Sequence, residues 1–383
     1  MTLIEKPKVT LIVNPRERFS YAQRSLESIY ADTEYPFDLI YVNVCSPKPI
    51  QQYLEQKAVE KSFKLLHTDY YISPNQARNV GLRYVLDNRD SKYVVFIEND
   101  VVVKRGWLTR LVESAEKTAA AVVAPLTCIG HPEHQVIHNA GGKSYIEERT
   151  KNGTIQRRIR QKAFLTGRAI ADVPEEMDLV QCDYVEFHCM LARTAIFAQT
   201  GLLDEGMLAT REHIDFCFTV TATAAGRIYS DRQSIITTDT LGIASNKTGL
   251  KAWFGKVQLP DFKWSDLPYF MLRWNHEWDK GSLDHLRQKW NLAEDQYFKK
   301  RYQGLGSRRR ELLIEPLVDQ LTFGRGNPWL KKQLIAIEQL INSYLYKRYL
   351  KTRERILQQK GVDVASLTTE SIRAVSERSI FTS

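Results

Sequence analysis

The segment Tyr93–Asp100, which reads YVVFIEND, carries the strongest fold signal in this chain. Its apolar run Tyr93–Ile97 predicts a strand that is buried on both faces. Two carboxylates, Glu98 and Asp100, follow the run directly. Ligands of open α/β sheets bind beyond the carboxyl ends of strands, and oxygen ligands suit hard divalent cations. The segment therefore predicts a cation site at a sheet edge. The alternative is that both acids are solvated at a polar strand end.

Strand-like and helix-like patterns alternate on both sides of this segment, which predicts an α/β fold with a mostly parallel central sheet and helices on both faces. The predicted strands are Val9–Val13, Phe37–Val44, Phe63–His67, Tyr93–Ile97, Ala120–Pro125, Asp183–Leu191, Ile228–Tyr229 and Ser234–Thr237. The predicted helices are Tyr21–Tyr30, Gln51–Lys61, Pro74–Asp87, Trp107–Lys117, Arg193–Thr200 and Asp215–Ala225. The dipeptide Asn152-Gly153, between two polar strand-like runs, indicates a hairpin turn.

The C-terminal part differs in kind, with helical patterns at Ser282–Trp290 and Trp329–Leu350. Between Lys299 and Lys360 there are 15 Lys and Arg against 5 Asp and Glu, whereas the whole chain has a net charge of +9. The basic character therefore belongs to this region, and the remainder is close to neutral. We divide the chain into a catalytic domain at 1–245, a loop or linker at 246–268 and a basic helical extension at 269–383.

The composition is that of an ordinary soluble globular protein, with 43% hydrophobic and 26% charged residues. Met1–Pro7 lacks an apolar signal core, and no apolar run is long enough to span a membrane, so we expect a cytoplasmic protein. The five cysteines are an odd number without a Cys-x-x-Cys pair, which favours free thiols. Because the basic residues lie outside the main domain and no nucleic-acid motif is present, no nucleic-acid partner is expected.

Three motifs in sequence order resemble the family 2 glycosyltransferases of the GT-A fold. They are the acid-x-acid strand end, the turn Gly201–Glu205 and the acidic helix start Arg211–Phe216. The resemblance covers Val9 to Asp239. It implies a GT-A, Rossmann-like domain and a hexosyltransferase-type enzyme that uses a nucleoside-diphosphate sugar as its donor.

The resemblance also implies a donor site with Mn²⁺ or Mg²⁺ on the diphosphate. Glu98 and Asp100 would hold the metal, with Asp100 the stronger candidate. Asp239 would replace a histidine that many relatives carry at the corresponding place, or the upstream acids and the diphosphate alone would hold the ion. Asn43 stands where the family commonly has an aspartate that contacts the nucleobase. For Arg78, the alternative to donor binding is that it is a helix-surface arginine paired with an acid. The expected donor-binding residues are Pro15, Arg16, Asn43, Arg78 and Asn99.

The segment Glu212–Asp215 is expected to supply the catalytic base. Inverting transfer needs a group that removes the proton of the acceptor hydroxyl. Where the family has Glu-Asp this chain has Glu212-His213, so the base position is occupied by His213, whose imidazole can perform the same task. Glu212 could orient His213 or act in its place, and Asp215 is the third candidate. Alternatively, Glu212 and Asp215 only complement the dipole at the helix start.

The acceptor candidates are His188, Glu186, Trp253 and Trp264, with core packing as the alternative for His188 and the tryptophans. His131, His134 and His138 predict an acceptor-lining loop in preference to a zinc site. The expected reaction is metal-dependent, inverting transfer to a glycan or lipid-linked acceptor in polysaccharide biosynthesis. The alternatives are a retaining transferase, or a catalytically weak scaffold or nucleic-acid-binding protein that uses its basic helices.

The Trp329–Leu350 helix carries an apolar stripe surrounded by Lys and Arg. Stripes of this kind more often pack inside a protein or against a second subunit, so we favour an internal contact or a homo-oligomer. The alternative is that the helix lies on the inner face of an anionic membrane, which would place the enzyme beside lipid-linked acceptors.

Overall fold

The structure is a computed structural model that describes residues 6–130, 133–151, 153–224, 226–238 and 263–361. Within these residues the strands are β1 Val9–Asn14, β2 Asp38–Val44, β3 Lys64–Thr68, β4 Tyr93–Glu98, β5 Val101–Val103, β6 Val122–Ile129, β7 Ile137–Asn139, β8 Gly142–Lys151, β9 Thr154–Ala163, β10 Leu179–Cys182, β11 Cys189–Arg193 and β12 Ile228–Thr238. The helices are α1 Ala22–Asp32, α2 Lys48–Lys61, α3 Pro74–Asn88, α4 Trp107–Thr118, α5 Phe197–Thr200, α6 Glu212–Ala224, α7 Leu267–Arg273, α8 His276–Lys289, α9 Gln296–Gln303, α10 Ser307–Arg309, α11 Glu315–Leu321 and α12 Pro328–Gln359. Short 3₁₀ segments and a π-helical turn, Arg310–Ile314, connect some of them.

The main sheet has the strand order β10-β12-β6-β11-β4-β1-β2-β3. Strands β3, β2, β1 and β4 run parallel, so their carboxyl ends meet at one edge. Strand β11 lies antiparallel between β4 and β6. Its first residue, Cys189, pairs with Ile97 near the end of β4, so the preceding residue His188 lies at that same edge. The sheet is therefore parallel in one half and mixed in the other, and the predicted α/β class is confirmed.

Alternate residues of β4 enter two different cores, which shows that helices cover both faces of the sheet. Val94 and Phe96 pack in a cluster with residues of α3 and α6. Tyr93, Val95 and Ile97 pack in another cluster with residues of α1 and α4. A strand with both faces buried needs a continuous apolar sequence, and this explains the YVVFI run.

The helices after residue 263 pack on the α3 and α6 side of the sheet. Tyr269 of α7, Leu283 and Leu286 of α8 and Phe298 of α9 belong to the same buried cluster as Phe96. Most of the proposed linker 246–268 lies outside the described residues, but α7 already begins at Leu267. The division into three segments stays a prediction.

Three sequence predictions differ from the structure in their bounds. The predicted strand Asp183–Leu191 is a strand only from Cys189, the start of β11. Its first six residues connect β10 to β11, two strands that are separated in the sheet. The two short strands near the end of the sheet are one strand, β12, with a register shift between Asp231 and Ile235. Arg193–Thr200 holds a 3₁₀ turn followed by the four-residue helix α5.

The predicted hairpin is confirmed by the pairing of β8 with β9. The pairing runs from Gly142 and Ala163 to Lys151 and Thr154. Gly153 has φ of 73°, the left-handed conformation that such a turn favours.

The long helix α12 contacts the rest of the protein through two buried polar residues, and also through Tyr349 and the buried Leu357. The buried side chain of Glu338 accepts from Arg309 at 2.5 Å, and the Asn342 side chain donates to the carbonyl of Met271 at 2.7 Å. Much of the predicted apolar stripe instead faces outward, with Ile337, Ile341 and Tyr344 exposed. None of the described helices combines the length and the apolar content needed to cross a bilayer.

Candidate active site

The edge where β1 and β4 end is fixed by Asn99. Its backbone N–H donates to the carbonyl of Asn14 at 2.9 Å. Its side-chain oxygen accepts from the backbone of Arg16 at 3.1 Å, and its side-chain nitrogen donates to the carbonyl of Arg18 at 2.8 Å. Both ends of the Asn99 amide therefore hold the loop after β1, including the buried Pro15, against the acid-x-acid segment.

The guanidinium of Arg16 lies between the two acids. Its Nη1 is 3.4 Å from Asp100 Oδ2 and its Nε is 3.5 Å from Glu98 Oε2. Nη1 also donates to the Thr238 hydroxyl at 2.9 Å. The other oxygen of Asp100, Oδ1, is buried and has no hydrogen-bond partner among the described residues. Burial raises the pKa of Asp100.

Glu98 has both carboxylate oxygens engaged. Oε1 accepts from Arg78 Nη2 at 3.0 Å, and Oε2 lies 2.7 Å from His188 Nδ1. Burial alone would raise the pKa of Glu98, but His188, Arg16 and Arg78 outweigh it and lower that pKa to about 2. Glu98 is therefore an ionised carboxylate at the centre of a charged network.

Arg78 connects the end of β4 to the start of α6. Its side chain is fully buried, lies over the ring of Phe187 at 4.1 Å and donates to Asn75 at 3.0 Å. Its Nη1 is 3.9 Å from Glu212 Oε1, which is also 3.4 Å from Arg273 Nη2. Arg78 is paired with acids, as in the alternative interpretation, but inside the protein and not on a helix surface.

The three base candidates have different surroundings. Asp215 accepts from Lys289 Nζ and from Trp290 Nε1, both at 2.8 Å, so it faces α8. Glu212 is engaged by Arg273 and Arg78. His213 Nε2 is buried and has no hydrogen-bond partner among the described residues. Burial lowers the pKa of His213, which favours the neutral imidazole.

His138, Glu186 and His188 form a compact group beside Glu98. Glu186 Oε2 lies 3.1 Å from His188 Nε2 and 3.3 Å from His138 Nε2. Against the opposing effects of burial and Arg16, Glu98 and Glu186 raise the pKa of His188 to about 9. The sequence placed Glu186 and His188 together but treated His138 separately, because it is far away along the chain.

A cavity of about 370 Å³ opens beside the carboxyl ends of β2 and β3. One wall contains Cys45 and Asp69, and the opposite wall contains Leu345 and Tyr349 of α12. Asn43, also at the end of β2, accepts from the Ser46 backbone at 3.1 Å and lies 3.1 Å from His67 Nδ1.

The C-terminal helices also hold the loop after β1, which the sequence did not predict. Buried Glu17 accepts from Arg308 at 2.7 Å and from the Trp274 indole at 2.8 Å. No motif marks this contact, because an isolated acid beside two arginines is common on protein surfaces. Of the remaining candidates, Trp264 is 85% exposed, and Asp239, Trp253 and His131 lie outside the described residues.

One segment of the chain matches a family of known proteins. Residues 11–170 match the family described as Glycosyl transferase family 2. The low-salt glycan biosynthesis hexosyltransferase Agl10 of Haloferax volcanii is 26% identical over 140 residues. That match covers 37% of this chain, and it spans 40% of the relative's length.

Two solved structures are similar at lower identity. GalNAc-T7 with UDP, GalNAc and Mn²⁺ has a TM-score of 0.46 and 13% identity, over 81% of this chain and 58% of that chain. S. aureus TarS 1–349 in complex with UDP-GlcNAc has a TM-score of 0.42 and 12% identity, over 93% of each chain.

The family matched over residues 11–170 is the one that the three sequence motifs resemble, glycosyltransferase family 2.

Proposed function

We propose that this protein transfers a hexosyl group, with inversion, from a nucleoside-diphosphate sugar to a hydroxyl of a glycan or lipid-linked acceptor in polysaccharide biosynthesis. The observation that carries the proposal is the link through Arg78 between the Glu98–Asp100 strand end and the start of α6. It joins the proposed metal and phosphate-binding strand end to Glu212, the neighbour of the proposed base His213. The Haloferax relative, a glycan biosynthesis hexosyltransferase, supports the same class of reaction.

Asp100 is the residue that fits a metal ion best. Its Oδ1 is buried without a partner, which is the kind of oxygen that Mn²⁺ or Mg²⁺ prefers. Glu98 is less available, since Arg78 and His188 already occupy its two oxygens. A bound ion would neutralise the charge that develops on the departing diphosphate. We therefore propose that Asp100 binds the metal ion and that Glu98 positions Arg78 and His188.

Arg16 is proposed to bind the donor diphosphate. Its guanidinium is 3.4 Å from Asp100 and 3.5 Å from Glu98, and Asn99 fixes its backbone. Planar guanidinium groups bind phosphate oxygens through charge-assisted hydrogen bonds. We place the nucleobase in the cavity beside β2 and β3, whose lining residue Cys45 follows Asn43 by two positions in the chain.

His213 is proposed as the catalytic base. A neutral imidazole with a free nitrogen can accept the proton of the acceptor hydroxyl. Glu212 is held by two arginines and Asp215 by Lys289 and Trp290, so neither carboxylate is as free to accept a proton. We assign Glu212 to positioning the start of α6 and Asp215 to the contact with α8. His188 and Glu186 remain acceptor-side candidates, and we give exposed Trp264 the same role.

The proposed location is the cytoplasm, at the inner face of the membrane. Ile337, Leu340, Ile341 and Tyr344 are exposed on one face of α12. The exposed Arg348, Lys351 and Arg355 continue along that face at helical spacing. Apolar residues followed by cations suit an anionic lipid surface.

Incubation with a panel of nucleoside-diphosphate sugars tests the proposed reaction. We expect release of nucleoside diphosphate with at least one donor, dependent on added Mn²⁺ or Mg²⁺ and stimulated by a glycan or lipid-linked acceptor. Incorporation of nucleotide into the product would instead indicate nucleotidyl transfer. Absence of turnover with every donor, from protein that binds nucleotide, would favour a scaffold.

A further inference from the structure

The His138, Glu186 and His188 group has the composition of a transition-metal site. Two imidazoles and one carboxylate are a ligand set found in three-ligand zinc centres. Among the described residues, their three ligand atoms lie within 4.8 Å of one another. β7 supplies His138, and the segment that leads into β11 supplies Glu186 and His188. Two separate chain segments therefore converge on one point.

The distances suit a common ion. Glu186 Oε2 is 3.1 Å from His188 Nε2 and 3.3 Å from His138 Nε2. Ligand atoms that are each about 2.0–2.2 Å from a zinc ion lie at comparable separations from one another. Both Nε2 atoms therefore lie beside the same carboxylate oxygen, and the ring centroids of His138 and His188 are 5.3 Å apart.

Glu98 supplies the second, independent observation. Its Oε2 lies 2.7 Å from His188 Nδ1, so the nitrogen remote from Glu186 has a carboxylate partner. Metal-binding histidines usually donate their other ring N–H to such a group, which fixes the ring and its tautomer. Glu98 is itself fixed by Arg78 at 3.0 Å.

The group is partly open to solvent. The side chains of His138 and Glu186 are 33% and 23% exposed, while that of His188 is 8% exposed. Three protein ligands with an open side leave room for water or a substrate oxygen, as in catalytic zinc centres.

We propose that His138, Glu186 and His188 bind a divalent transition-metal ion, with Zn²⁺ the best match to the ligands, at a site separate from Asp100. The inference goes beyond the proposed sugar transfer and does not depend on it. The competing occupant is a proton: His188 would then be an imidazolium held between Glu98 and Glu186.

Zn²⁺ titration of chelator-treated full-length protein, without nucleotide, tests the site by calorimetry. We expect one Zn²⁺ per chain. In His138→Ala and Glu186→Gln the affinity should fall by more than the roughly 10–100-fold that loss of an outer-shell partner costs. Co²⁺ should give visible absorption bands in the native protein that both variants lack.

Two controls separate this site from others. His276→Ala removes an exposed histidine elsewhere, and Asp100→Asn removes the proposed donor-site ligand; both should keep Zn²⁺ affinity. If His138→Ala misfolds by circular dichroism, the near-isosteric Glu186→Gln carries the test. No Zn²⁺ uptake by native protein, or unchanged affinity in Glu186→Gln, would overturn the proposal. Loss of binding in Asp100→Asn with retention in Glu186→Gln would also overturn it. Sugar transfer is assayed separately, so its failure leaves this result intact.

Discussion

Glu98 and Arg78 form a buried ion pair, with Glu98 Oε1 3.0 Å from Arg78 Nη2. The pair joins the last residue of β4 to α3, and the second arm of Arg78 reaches Glu212 at the start of α6. Buried charges are costly unless they are paired and hydrogen-bonded. The integrity of the proposed site therefore depends on contacts among charged residues of three elements.

Removal of Arg78 should destabilise the protein. In Arg78→Ala the carboxylates of Glu98 and Glu212 lose a buried cation, which typically costs about 3–5 kcal/mol. Urea denaturation followed by circular dichroism measures the loss. Arg89→Ala, at an arginine whose side chain is 37% exposed, is the matched control and should change stability by less than about 0.5 kcal/mol. Equal effects of the two variants would contradict the buried-pair account.

Asp100→Asn should abolish metal-dependent donor binding while the fold is kept. One negative charge is removed where the unpartnered oxygen is proposed to meet the ion. In native protein, donor at a hundredfold excess over its dissociation constant should add about 2.7 kcal/mol of stability when metal is present. Thermal unfolding with and without Mn²⁺ detects the change. Asp90→Asn, at a fully exposed aspartate, should behave as native protein.

His213→Gln should lower turnover far more than it lowers donor affinity. A base acts in the transition state, so its loss should reduce kcat by roughly 10²–10⁴. The native rate should stay high below the ordinary histidine pKa, because burial lowers the pKa of His213 and keeps it neutral there. A pH profile of kcat/KM tests this. If the variant shows the same decrease of kcat/KM at low pH as native protein, His213 is not the catalytic base.

Asp215→Asn should act on stability and not on the chemical step. Its carboxylate accepts from Lys289 and from the Trp290 indole, and loss of a buried hydrogen-bonded partner costs about 1–3 kcal/mol. Turnover per folded molecule should stay near the native value. A large fall in kcat with unchanged stability would make Asp215 the base.

The exposed face of α12 should bind anionic vesicles. Leu340→Glu places a charge at a residue that is 73% exposed, and sedimentation with anionic vesicles should then decrease. Val59→Glu, at an apolar residue of α2 that is 83% exposed, is the control and should sediment as native protein. If native protein does not sediment with vesicles but forms dimers that Leu340→Glu dissociates, this face of α12 is a homo-oligomer surface instead.

The parallel half of the sheet could be predicted from the sequence because it depends on short-range patterns. These are the apolar runs of β1 and β4 and the helical spacing of apolar residues between the strands. They could not predict the partners of Glu98. His188 reaches it only because β11 inserts antiparallel beside β4, a pairing between distant segments. Likewise, the sequence shows Asp215 only as an acid near the start of a helix. Its hydrogen bonds with Lys289 and Trp290 depend on how α8 packs.

The central claim, inverting transfer with His213 as base, is tested most directly by proton NMR of the first product formed. With an α-linked nucleoside-diphosphate hexose as donor, the account predicts a β-linked product released together with nucleoside diphosphate. An α-linked product would contradict it, because retention requires a different geometry of attack.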